Sequence, residues 1–107
     1  MDPTKGRIVF YMLNALDVQQ ITRRRTNSES IRERIEVPAP GYRWPEGAQA
    51  HIGNPVMPGD VQPMIIVEVS VDRLVNGQVF LDGNDVLWVT DVPEGSGVGT
   101  WAWPPRV

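Results

Sequence analysis

The sequence predicts an α+β fold. It is either a small, mainly antiparallel sheet or a partly open barrel of SH3-like kind, with one or two short helices near the N-terminus and a tail rich in Trp and Pro. Three observations carry this. Two apolar runs alternate in period two through residues 64–71 and 75–81, which is the pattern of half-buried strands. Asp82-Gly83-Asn84-Asp85 then gives a strong turn signal before a third run at 86–92. Near the N-terminus, an apolar run at 6–13 is followed at once by a helix-start signal.

In the first run, Ile8, Phe10 and Met12 share one face and Val9, Tyr11 and Leu13 the other. Both faces are apolar, so this strand is expected to be central or covered on both sides. Asn14 caps a helix over about 15–25, with Asp17 three residues on. Leu16, Val18 and Ile21 supply its apolar side, and Arg23, Arg24 and Arg25 fall in its last turn, where cations suit the helix dipole. Ser30 and Glu33 mark a second, short helix that ends at Val37-Pro38.

Residues 38–59 contain five prolines and four glycines and read as one long irregular loop. In the following strands, Ile65, Val67, Val69 and Val71 face one way and Glu68 and Ser70 the other. Val79 and Leu81 point inward on the next strand. On the third, Leu87 and Val89 lie opposite Val86, Trp88 and Thr90. The expected core is therefore Ile8, Phe10, Ile65, Val67, Val69, Val79, Leu81, Leu87 and Val89, with Leu16 and Ile21 from the helix.

The 107 residues are read as a single domain, 1–107. The net charge of −3 argues against duplex nucleic acid as a partner. The chain has no cysteine, which excludes disulfides, thiolate nucleophiles and cysteine-ligated metals. The single short apolar run near the N-terminus is too short to span a bilayer, so no membrane association is expected.

The tail from Gly95 holds two of the four tryptophans, three glycines and two prolines. Trp101 and Trp103 share a parity, so in an extended chain both face one side. They either fold back as a lid on the core or present a binding surface. Trp44, Trp88, Trp101 and Trp103 could together line a recess for a planar ligand; packing is the commoner use of an indole. Arg24 and Arg25, with Arg23, Arg32 and Arg34, could clamp phosphates. The plainer reading is a solvated helix end with local pairs, Glu29 to Arg32 and Arg32 to Glu36.

Asp82, Asn84 and Asp85 lack the spacing of a calcium loop, so turn chemistry explains them better. His51 is the only histidine. With no second ligand and no nucleophile on a recognisable elbow, it supports neither a zinc site nor a triad. Gly95, Gly97 and Gly99 open no helix and so fail the context test for a phosphate loop. No cofactor and no metal are expected, and the missing catalytic constellation leans against an enzyme.

Several strings resemble one family. They are Gly-Arg-Ile-Val-Phe-Tyr-Met-Leu at 6–13, Arg23 to Arg25, Ala50 to Asn54, Gly59-Asp60-Val61, 77–90 and 99–107. Together they resemble small uncharacterised proteins encoded by bacteriophages and prophages of actinobacteria. The resemblance covers nearly the whole chain and implies a phage origin and a role in the cytoplasm of the bacterial host. It carries over no catalytic residues. The pattern Gly99 to Pro104 is also similar to other small, β-rich phage proteins, and phages encode proteins that sequester the cyclic nucleotides of host defence.

The expected function is a noncatalytic binding domain for a host protein or small molecule, with sequestration of cyclic nucleotides and a minor virion or assembly role as alternatives. The candidate binding residues are Trp101, Trp103, Trp88, Arg24 and Arg25. Exposed strand edges also make a homo-oligomer possible.

Overall fold

The computed structural model describes residues 2–25 and 53–105. The expected helix near residue 30, the loop as far as residue 52, Arg32, Arg34, Trp44, His51 and the side chain of Arg25 lie outside the described residues. In chain order the elements are β1 (Ile8–Met12), α1 (Ala15–Arg25), β2 (Val61–Val69), β3 (Val75–Phe80), β4 (Val86–Val92) and β5 (Trp101–Ala102). One sheet contains all five strands in the order β4-β3-β2-β1-β5, and every neighbouring pair is antiparallel. The α+β expectation holds.

The sheet does not close into a barrel. Its edges are β4 and β5, and β5 is only two residues long before Pro104 and Pro105 end it. A single parallel bridge, Glu94 to Trp101, spans the gap. The Trp101 N–H donates to the Pro93 carbonyl and the Gly95 N–H to the Trp101 carbonyl, each at 3.0 Å. That bridge ties the chain just after β4 to β5, and among the described residues no second rung extends it.

The buried set is Val9, Tyr11, Leu13, Ile21, Met64, Ile66, Val75, Val79, Leu81, Leu87, Val89, Val92 and Trp101. The expected inward positions on β3 and β4 are correct. On β1 and β2 the phase is the reverse of that expected. Ile8 and Val67 are exposed, and Phe10, Ile65 and Val69 are only partly buried. The cross-strand register explains the coupling. Ile8 lies opposite Ile65 and Val9 opposite Met64, so fixing one strand's face fixes the other's. Val9, Tyr11 and Leu13 then point inward with Met64 and Ile66. A register shift between Ile66 and Glu68 ends the simple alternation on β2.

On α1, Leu16 is exposed, a second correction. Leu16 and Ile21 are five residues apart, about 140° around a helix, and cannot share a narrow face. Asp17 and Ile21 are four apart and do. Asp17 is buried because it completes the helix start. The Asn14 N–H donates to Asp17 Oδ2 at 2.9 Å, and the Asp17 N–H donates to Asn14 Oδ1 at 2.8 Å. This is the reciprocal capping arrangement. The Tyr11 hydroxyl also donates to Asp17 Oδ2, at 2.5 Å. Burial first, then that hydrogen bond and the Asp17 charge, raise the Tyr11 hydroxyl well above its ordinary pKa.

Two backbone features fix the sheet's shape. Between β2 and β3 the chain makes a single 3₁₀-type turn, Val71–Arg73. Asp72 and Arg73 both have positive φ, 56° and 62°, and the Leu74 N–H closes on the Val71 carbonyl at 3.2 Å. Two central residues with positive φ are the mark of the tight turn that matches strand twist. Farther along β3, a Cβ on Gly77 would lie 2.7 Å from the Ile65 carbonyl oxygen and from the Met64 side chain. Only glycine lets β2 and β3 approach this closely at the register shift.

Candidate functional site: a basic and aromatic cleft between helix and sheet

Gln20, Arg23 and Arg24 sit at helical positions i, i+3 and i+4, so they line one side of α1. That side meets β4. The Arg24 Nη1 lies 3.1 Å from Asp85 Oδ1 and donates to the Val86 carbonyl at 3.2 Å. Asp85 is buried just before β4, and its carboxylate is 1% exposed. It shares the inward parity of Leu87 and Val89. Arg24 thus clamps the last turns of the helix to the start of the strand. Its Nε and Nη2 atoms are also buried, with no hydrogen-bond partner among the described residues.

Next to this clamp is a cleft of about 390 Å³ lined by Gln20, Arg23, Arg24, Leu87 and Trp88. Trp88 is 48% exposed, and Leu87 is buried beneath the cleft. Arg24 is paired with Asp85, while Arg23 is exposed and, among the described residues, forms no ion pair. An indole offers a flat π surface and a guanidinium offers planar donors. The arrangement is chemically suited to a flat molecule with one negatively charged group.

The tail lies elsewhere. Trp101 is fully buried. It pairs with Tyr11 across β1, and its Nε1 donates to the Arg73 carbonyl at 3.3 Å. The Arg73 guanidinium sits 5.8 Å from the centre of the Trp101 ring system and holds Asp2 at 2.6 Å and Glu94 at 2.9 Å. Trp103 meets Trp101 edge to face, with centroids 5.5 Å apart, and is partly buried. Trp101 thus occupies the lid position, and Arg73, not Arg24, is the cation beside it.

A shared recess, weighed against packing as one use of the tryptophans, is not assembled among the described residues: Trp88 lines the helix cleft, while Trp101 and Trp103 pack together at β5. Arg24 lines the same cleft as Trp88, whereas the cation beside Trp101 is Arg73. Asp85 and Gln20 were missed by sequence reasoning. The signal for Asp85 was its parity with Leu87, which places a carboxylate on the buried face and demands a cation. Gln20 follows from its spacing to Arg23 and Arg24.

Among the described residues, no cluster of three or more His, Cys, Asp or Glu could hold a metal ion. Also among them, no helix is long and apolar enough to cross a membrane. Comparison of the chain with protein-family models, curated proteins and solved structures finds no match.

Proposed function

We propose that this chain is a noncatalytic binding domain, phage-encoded and acting in the cytoplasm of the infected host. In this reading the cleft between α1 and β4 is its ligand site. One observation carries the site: Arg23 and the anchored Arg24 line a single cleft together with an exposed indole, Trp88. Surface indoles and arginines are common separately. Their place in one cleft beside a buried ion pair that fixes the cleft's geometry supports recognition of a planar anion. The phage origin is supported by the string resemblances alone.

The finer reading is capture of the cyclic nucleotides used in host defence. It is favoured by the same cleft, since a base can stack on Trp88 while a phosphate meets Arg23. Among the described residues one arginine of the cleft, Arg23, is without an ion pair, which suits a ligand with few charges better than a polyphosphate.

Calorimetry with cyclic dinucleotides, cyclic trinucleotides, mononucleotides and aromatic carboxylates tests the proposal. Saturable heat is expected for at least one class, weakened roughly tenfold or more by Trp88→Ala and reduced by Arg23→Ala. No heat with any class at millimolar ligand overturns it, as does binding that survives both substitutions.

A further inference from the structure

A second site lies on the sheet's outer face, where β1, the start of β2 and β5 meet. Phe10, Met12, Val61, Ala102, Trp103 and Pro105 enclose a groove of about 250 Å³. Gly95, Ser96 and Thr100 complete its lining, which among the described residues contains no charged side chain. The groove opens onto an apolar row. Cross-strand pairing sets Ile8 opposite Ile65, Phe10 opposite Pro63 and Met12 opposite Val61 on the sheet's outer face, where Ile8 and Val61 are exposed.

The wall of this groove carries one misfit. The Trp103 Nε1 is buried and has no hydrogen-bond partner among the described residues. A buried, unpaired N–H is costly in an otherwise apolar setting, and apolar neighbours offer it no remedy. The side chain that carries this donor is itself part of the groove lining.

We propose that this groove docks an uncharged, extended segment of a partner protein, placing a large apolar side chain between Val61 and Trp103 and a backbone carbonyl on the Trp103 N–H. The absence of charge in the lining selects the apolar side chain. The orphaned donor selects an acceptor beside it. The row running on through Phe10, Pro63 and Ile65 selects a segment longer than the groove, which a lone small molecule would leave uncovered. The site is separate from the helix cleft, so it stands whether or not that cleft binds an anion.

The test uses the whole chain and two blocked tripeptides, acetyl-Val-Leu-Val-methylamide and its Val-Glu-Val counterpart, followed in nitrogen–proton correlation spectra. The Leu peptide is expected to shift the Trp103 indole N–H saturably to lower field, with the Trp88 indole unmoved and the Glu peptide inactive. Trp103→Phe keeps an aromatic ring at the position and removes the donor, and should weaken the Leu peptide by at least two- to tenfold, the worth of one hydrogen bond. Val61→Glu, at an exposed position, should abolish binding with the fold intact. The proposal is overturned by an unmoved Trp103 N–H at millimolar Leu peptide, by equal affinity in Trp103→Phe, or by equal binding of both peptides. None of these results bears on the calorimetry of the helix cleft, so the two readings fail separately.

Discussion

Ile66 and Val67 are neighbours on β2, and the direction each faces decides what the core is. Ile66 is fully buried, and Val67 is 39% exposed. Truncating a fully buried isoleucine to alanine removes transfer energy and leaves a cavity, at a cost of about 2–5 kcal/mol. A central value of about 3 kcal/mol lowers the melting temperature of a domain of this size by roughly 12–24 °C. Val67→Ala removes two methyl groups from a half-wet position and gives up some strand preference, which together cost less than about 1 kcal/mol. Urea denaturation of both variants, followed by circular dichroism, should therefore separate them by about 2 kcal/mol with unchanged slope. The charged pair sharpens the contrast: Ile66→Asp should abolish the cooperative transition, while Val67→Asp should keep it. Equal losses, or a larger loss at Val67, would show that the strand's phase is reversed.

Four further outcomes follow. Gly77→Ala should cost about 1–3 kcal/mol, because the added methyl must push back the Ile65 carbonyl; chemical denaturation measures it. Tyr11→Phe should cost about 1 kcal/mol in the neutral range. It should also remove a loss of stability at alkaline pH. The folded Tyr11 holds its proton more tightly than the unfolded chain does, so its contribution is fully present below about pH 10 and falls as pH rises through and beyond the unfolded value. Arg24→Ala should destabilise by about 1–3 kcal/mol by taking the Arg24 guanidinium away from the buried Asp85 carboxylate, and adding Asp85→Asn should recover part of that loss in a double-mutant cycle. Trp101→Ala should cost about 3–5 kcal/mol, whereas Trp88→Ala, at an exposed position, should barely move the melt.

The helix was legible because its start is chemical: Asn14 and Asp17 satisfy each other's backbone N–H groups, and no distant contact is needed to see it. Strands β3 and β4 were legible because polar residues mark their wet sides, Gln78 on one and Thr90 on the other. Strands β1 and β2 were not. Apolar residues occupy both faces of β1, and Glu68 on β2 and Ser70 just after it sit beyond the register shift at Ile66, so their parity misreports the strand's earlier half. The site shows the same division. Arg24 and Trp88 were marked by residue type, but Trp88 was expected to join the tail indoles. Their separation depends on strand order, which places β4 and β5 at opposite edges of the sheet.

The helix cleft makes its own demand on where a ligand touches. The most direct measurement is a nitrogen–proton correlation titration of the whole chain with the tightest-binding planar anion from the calorimetric panel. The account predicts that the Trp88 indole N–H and the backbone amides of Gln20, Arg23 and Leu87 shift together, while the buried Trp101 indole N–H stays still. Shifts centred on Trp101 and Arg73, with Trp88 unmoved, would contradict it.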